Sequence, residues 1–362
     1  MGKRKKADPA LIAAALEGNK RQVLALLDKH EVDAVDAAGN SALLAAACGG
    51  HTELVEELCG RGAALELKNQ IGTSPLWLAA GYGHVATLDL LIAKEANLNT
   101  TNTTKDTPML AAASKGHTEC VRRLVAAGAR HLTVNSGGDS PLSLAAAQGS
   151  LEMVRVLVGL AGTAALLKRR NAKGTHPVAV AASAGHLEIL EELLDAGGDV
   201  ELPDANGACA VGLAAFCGQL EVVRALLARG VDFEIVDPAG ATPLWMAASA
   251  GHAGVVGALL EAGARAEASS GGHSALEAAT RNGHAKVREL LEAARSRPDA
   301  SAAGEAAGGS PGADGEHDDD GLLRFHHTAK TLPRLGAAAA AEEEGEGELL
   351  EGVAPEDDPD EP

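Results

Sequence analysis

The sequence predicts an all-α-dominated solenoid, in which helix-turn-helix units joined by β-hairpin loops stack in file ahead of a disordered acidic tail. Three observations predict it. A glycine returns at positions 18, 50, 83, 116, 149, 185, 218, 251 and 283, at steps of 32, 33, 33, 33, 36, 33, 33 and 32 residues. Self-similarity at such a period marks supersecondary units repeated along the chain. Hydrophobic residues make up 46% of the chain, yet the aromatics are only Trp77, Tyr82, Phe216, Phe233, Trp245 and Phe325. An interior of Ala, Leu, Val and Gly suits thin helices packed closely. Finally, of the net charge of −19, a balance of −15 falls between Asp299 and Pro362, so the first 298 residues carry only −4.

The unit at 237–264 justifies each element in turn. Asp237 opens a turn and Gly240 supplies its left-handed bend. Thr242 stands where an N-cap is needed, and Pro243 follows at the first helical position, where a missing N–H costs nothing. Leu244, Ala247 and Ala248 recur at helical spacing until Gly251 stops the helix. A second helix carries Val255, Val256, Leu259 and Leu260 on one face and ends at Gly263. A short hairpin then leads to the next unit. Each helix is too short to be stable alone. A unit therefore covers its apolar face only by stacking, and the end units need polar outer faces.

These motifs resemble ankyrin repeats. The family's Thr-Pro-Leu-His start is matched by SPLW at Ser74–Trp77, TPML at Thr107–Leu110, SPLS at Ser140–Ser143 and TPLW at Thr242–Trp245. The second-helix ending is matched by LLEAGA at Leu259–Ala264 and LVAAGA at Leu124–Ala129. The hairpin Asp or Asn is matched by Asp36, Asn69, Asn102, Asn135, Asn171, Asp204 and Asp237. The resemblance divides the chain into a basic segment at 1–7, an array of about nine units at 8–295, and a tail at 296–362. The first unit, from Asp8 to about Val35, lacks the Thr-Pro start and reads as an N-terminal cap. Units six and seven depart from the pattern at their first helices (THPVAV, ACAVGL). Three extra residues fall in GLAGTAALLKRR, where they are expected to lengthen the second helix or the hairpin of unit five. The last unit leaves through a polar stretch at Glu292–Arg295.

His51, His84, His117, His186, His252 and His284 share one place in the repeat, which Asn19, Ser150 and Gln219 take in units one, five and seven. All are polar groups able to bond backbone at the turn between the helices. A metal or catalytic site needs side chains that converge, whereas these histidines fall one repeat apart, so a scaffold role is expected. Cys48, Cys59, Cys120, Cys209 and Cys217 form no CxxC pair, which argues for buried free thiols rather than a zinc site or disulfide framework. His326 and His327 have no Cys or second His pair beside them. None of the phosphate-loop, dinucleotide, zinc-protease or nucleophile-elbow motifs occurs. Glycine-rich Ser136–Ser140 reads as a hairpin tip, and Glu56/Glu57 and Glu191/Glu192 as the solvated face of amphipathic helices. No catalytic residue, cofactor, metal or small-molecule substrate is expected.

What the resemblance implies is non-catalytic binding of protein partners on a concave face made by hairpin tips and first helices. Matching the repeat position by position places there Gln70, Ile71 and Tyr82 of unit three, Asp106 and Lys115 of unit four, and Asp139 and Gln148 of unit five. Lys173 of unit six, Asn206 and Phe216 of unit seven, and Arg281 and Asn282 of unit nine complete the set. Tyr82 and Arg281 lead, with Phe216 next, because hot spots favour large aromatic and Arg side chains. Trp77 and Trp245 share one position and are expected to pack between units. The expected role is a scaffold or adaptor. The other reading is a substrate-recruiting or regulatory subunit of an enzyme complex, of the ubiquitin ligase or phosphatase type.

A body of net −4 offers no broad basic stripe for nucleic acid. Lys3, Arg4, Lys5 and Lys6 fit a nuclear-import signal, and Lys168–Arg170 with Lys173 could attract an acidic partner or the acidic tail. No stretch approaches a membrane span and no signal peptide is evident, so a monomer in the cytoplasm, the nucleus or both is expected. The Gly-, Ala-, Asp- and Glu-rich tail is predicted to be disordered. Its interruption, GLLRFHHTAKTLPRL at 321–335, has the make-up of a short linear binding motif.

Overall fold

The computed structural model describes residues 6–296. Lys3, Arg4 and Lys5, the tail beyond Ser296, its apolar–basic segment and His326/His327 lie outside the described residues. Lys6 is exposed and forms a parallel bridge with Val35.

Nine helix pairs run along the described chain. Their first helices are Pro9–Leu16, Ala42–Cys48, Pro75–Gly81, Pro108–Ser114, Pro141–Gln148, Pro177–Ala184, Ala210–Phe216, Pro243–Ala250 and Ala275–Arg281. The second helices are Lys20–Leu27, Thr52–Gly60, Val85–Ala93, Thr118–Ala126, Leu151–Val158, Leu187–Asp195, Leu220–Ala228, Ala253–Glu261 and Ala285–Arg295. First helices pack on the first helices of neighbouring units, second helices on second helices, and each pair packs within itself. The result is two helical layers with the core between them. Leu43, Leu76, Leu110 and Leu142 are fully buried from the first helices, and Leu58, Leu91 and Leu124 from the second. Burying each such side chain contributes roughly 1.5–3 kcal/mol. Alanines at Ala46–Ala47, Ala79–Ala80 and Ala112–Ala113, fully buried, let neighbouring helices approach.

The helix starts follow the predicted chemistry. Ser41, Ser74, Thr107, Ser140, Thr242 and Ser274 each accept the amide three residues on, at 3.1–3.3 Å. Unit one uses Asp8, which accepts from Ala10 N at 2.9 Å ahead of Pro9. In the two irregular units His176 and Cys209 occupy the cap position without a side-chain cap bond, but both helices form because neighbours bury Val178, Val211 and Ala214.

The hairpins are mostly tight turns. The seven predicted Asp and Asn residues each accept, through Oδ1, the amide four residues on, at 2.7–3.0 Å. Among the described residues only Ser269–Ser270 and His273–Ser274 pair as strands. Successive tips are stitched by one backbone bond: Gln70 N to Ala38 O, Thr103 N to Ile71 O, Ser136 N to Thr104 O and Ala172 N to Gly137 O, at 2.7–3.0 Å. The stitch stops after unit six. At the step from unit seven to eight the donor position is Pro238, which has no N–H to give. It resumes at Gly271 N to Ala239 O, 3.2 Å.

The three-residue insertion does not lengthen the helix or hairpin of unit five, as its position suggested. It forms a separate turn of helix, Ala164–Leu167, after the second helix has ended at Val158. Thr163 Oγ donates to the Leu157 and Leu160 carbonyls at 2.8 and 2.9 Å, and Leu166 and Leu167 are buried. Two leucines thus find the core from a turn of their own.

Candidate partner-binding face

The repeated histidines do bond backbone, but not within their own turn. His51 Nε2 donates to the Leu16 carbonyl at 2.7 Å, His84 to Cys48 at 2.7 Å, His252 to Phe216 at 2.9 Å and His284 to Ser249 at 3.1 Å. Each acceptor lies at the end of the preceding unit's first helix, where carbonyls have lost their helical partners. Gln219, which replaces histidine in unit seven, donates to Ser183 O at 3.0 Å in the same way. The ring also rests on the preceding unit's glycine. A Cβ on Gly50 would stand 2.5 Å from His84 Nδ1, and on Gly251 2.6 Å from His284. These glycines therefore serve twice, through a positive φ (+72° and +85°) and through the absence of a side chain under the next imidazole. Burial pushes the His117 pKa down. Among the described residues no group of His, Cys, Asp and Glu is arranged to hold a metal ion.

Outside the core the two layers differ in chemistry. The second helices carry ion pairs between units: Lys20–Glu57 at 3.7 Å, Arg123–Asp89 at 3.6 Å, Arg122–Glu152 at 2.6 Å, Arg155–Glu192 at 2.8 Å and Arg229–Asp195 at 3.7 Å. Glu57 and Glu192, read from sequence as solvated, are thus partnered, and the bond from Arg61 holds the Glu57 carboxyl below its usual range. A further set of cross-unit bonds had no sequence signal: Asp33 accepts from Ala64 N, Glu66 from Asn97 N, Asn99 from Arg130 N and Glu234 from Arg265 N, at 2.7–2.9 Å.

Besides the main core, first-helix residues form two small apolar clusters, one with Leu44, Cys48, Trp77, Leu78 and Ala111 and one with Leu213, Phe216, Trp245 and Met246. Of the sequence candidates, Tyr82, Lys115, Lys173 and Arg281 are exposed at first-helix ends or at hairpin tips. Tyr82 stacks on His84 with ring centroids 6.3 Å apart, and Arg281 reaches His273 Nδ1 at 3.5 Å. Ile71 and Phe216 are half-buried. The other six are engaged by the scaffold. Gln70 Nε2 donates to Ala37 O at 2.5 Å, Gln148 to Ser114 O, and Asn282 Nδ2 to Ser249 O at 2.8 Å. Asp139 accepts from Asn171 at 2.8 Å, Asp106 from Thr104 Oγ, and the Asn206 amide donates to Asp204. The candidates are spread over six units, from unit three to unit nine, and do not form one cluster.

The two tryptophans part company. Trp77 is buried against Leu44, Cys48 and Ala111, and its Nε1 has no hydrogen-bond partner. Trp245 is half-buried and donates from Nε1 to the His273 carbonyl at 3.0 Å. With Leu213, Phe216 and Met246 it forms a small apolar cluster, and it also packs against the main core. Sequence reasoning singled out only Phe216 of this group as a surface residue. Leu213 could have been found from its place one residue after Gly212, whose equivalents elsewhere carry larger side chains.

No helix among the described residues is long and apolar enough to cross a membrane. A search of curated proteins returned no match. The sequence model described as ankyrin repeats (3 copies) matches residues 11–102, 86–165, 160–237 and 214–301. With the stacked helix pairs, glycine-ended turns and capped hairpins behind it, that match identifies the chain as a member of the ankyrin-repeat family, whose arrays are protein–protein interaction modules.

Proposed function

We propose that this chain is a non-catalytic scaffold or adaptor whose array, taken as residues 8–295, binds a protein partner along the exposed side of its first helices and hairpin tips. The observation that carries the reading is the contrast between layers. On the outer layer Arg155 and Arg229 pair with carboxylates of neighbouring units, whereas on the first-helix side Tyr82, Lys115 and Arg281 are exposed and Phe216 is half-buried. Rigid helices with little to reorganise lower the ordering cost of association. Tyr82 and Arg281, at units three and nine, are the contacts expected to matter most.

Affinity capture with the intact chain and with Tyr82→Ala/Arg281→Ala tests this. Partners recovered by the wild type should be lost from the double variant while its thermal unfolding is unchanged. Identical recovery by both would remove these residues, and the face they mark, from the reading.

A further inference from the structure

At the apolar cluster of units seven and eight, the first-helix layer leaves Leu213, Phe216 and Trp245 half-exposed together. Ala208 and Ala241 come from successive hairpins, and Leu213, Phe216, Trp245 and Met246 from successive first helices. Two local features open it. Gly212 has no side chain where units two, three, four and eight carry Leu44, Trp77, Leu110 and Trp245, and a Cβ there would meet Met246 Sδ at 3.1 Å. Pro238 removes the amide that would tie the tip of unit eight to that of unit seven. Carboxylates border it at the hairpin: Cys209, the residue after Ala208, donates its thiol hydrogen to the Glu201 carbonyl at 3.0 Å, and Glu201, Asp199 and Asp232 are exposed. The Cys209 thiol is pushed up first by burial and then by Glu201, Asp199, Asp204 and Asp232. The surface that needs covering is therefore aromatic and apolar with an acidic border.

The chain carries a complementary segment of its own. We infer that the cluster of Leu213, Phe216 and Trp245 is a docking site for residues 321–335 of the same molecule, with Leu322, Leu323 and Phe325 entering the patch and Arg324, Lys330 and Arg334 facing its acidic border. This rests on the reading of the first-helix side as the binding face and names an internal occupant for it. Two facts select this segment. The other leucine pair beyond Ser296, Leu349–Leu350, sits among Glu346, Glu348 and Glu351, so like charge opposes its approach. The reach also suffices: the 25 residues between Ser296 and Leu322 span at most about 85 Å, and about 28 Å as a random Gly-rich chain. Units seven and eight lie one to two helix-packing steps of about 10 Å from unit nine, where the described chain ends. Tethering at this length gives a local concentration in the millimolar range. An external partner must then compete with the tail for the same patch.

Cys217 reports directly on occupancy. It is exposed, follows Phe216, and is the residue that caps this first helix. Cys59, half-buried on the second helix of unit two, serves as the reference. In the full chain, alkylation of Cys217 by a small maleimide should be about tenfold slower in the wild type than in Leu322→Asp/Phe325→Asp, for a tethered concentration of ~1 mM against a segment Kd of ~0.1 mM. Cys59 should react equally in both. The substitutions lie outside the array, so they leave its packing intact. Equal Cys217 rates overturn the proposal, as does protection that vanishes on dilution, which would assign the occupant to a second copy. Either result leaves the partner-capture outcome for Tyr82 and Arg281 standing on its own.

Discussion

At the residue scale the repeated histidine is a bolt between units. Its Nε2–H satisfies a carbonyl at the preceding helix end, and its ring fills the space above a glycine that no other residue could occupy there without strain. His84→Ala should cost about 1–3 kcal/mol, because the Cys48 carbonyl loses its donor and a packing gap opens over Gly50. His84→Gln should cost less than half of that, since Gln219 reaches the equivalent carbonyl in unit seven. Denaturant unfolding of both variants checks the order. Equal losses would mean that ring packing, not the hydrogen bond, carries the contribution.

At the element scale the hairpins explain where the array is uneven. In most units the fourth turn residue is a glycine with φ between +74° and +84°, but unit four places Lys105 there at +64°. A left-handed non-glycine residue costs about 1–2 kcal/mol, partly offset by the extra freedom a glycine gives the unfolded chain. Lys105 is exposed and its side chain is not needed by the turn, so Lys105→Gly should raise stability by about 0.5–1 kcal/mol. Chemical denaturation reads this, and a loss of stability would show that the side chain makes a contact worth more than the strain. The same chemistry, read in reverse, accounts for Pro238: an element can keep its turn and still drop out of the line of tip-to-tip bonds.

On the scale of the whole molecule, stability is shared along the stack, so a proton forced onto a buried neutral histidine weakens the array. Burial holds the pKa of His117 and of His176 below the unfolded value, and His176 Nδ1 is buried without a partner. Folding favours their neutral forms. Between the unfolded pKa of about 6.5 and the lower folded values the unfolded chain binds the extra protons, so stability is complete above that window and falls as pH drops through it. Each such group contributes a slope of up to about 1.4 kcal/mol per pH unit. His176→Thr, which installs the residue found at the cap of units four and eight, should flatten the dependence of unfolding free energy between pH 7 and 5. An unchanged slope would assign it to other groups.

The sequence by itself determined the period, the positions of the helices, the caps at Ser74, Thr107 and Thr242, the Asp and Asn turns and the scaffold role of the histidines. The caps and turns rest on chemistry within a few residues, and the period and the histidines on recurrence along the chain, both of which spacing and residue type encode. Only the tertiary structure decided what lies across a unit boundary. It chose the carbonyl, some 35 residues back, that His51, His84, His252 and His284 bond, and it made the insertion at 164–167 a helix of its own. It tied up Gln70, Asp139 and Asn282, and it gathered Leu213, Phe216 and Trp245 into one patch. Those outcomes depend on how far each unit is turned and shifted against the last, a quantity set by the packing of whole helices and written in no single repeat.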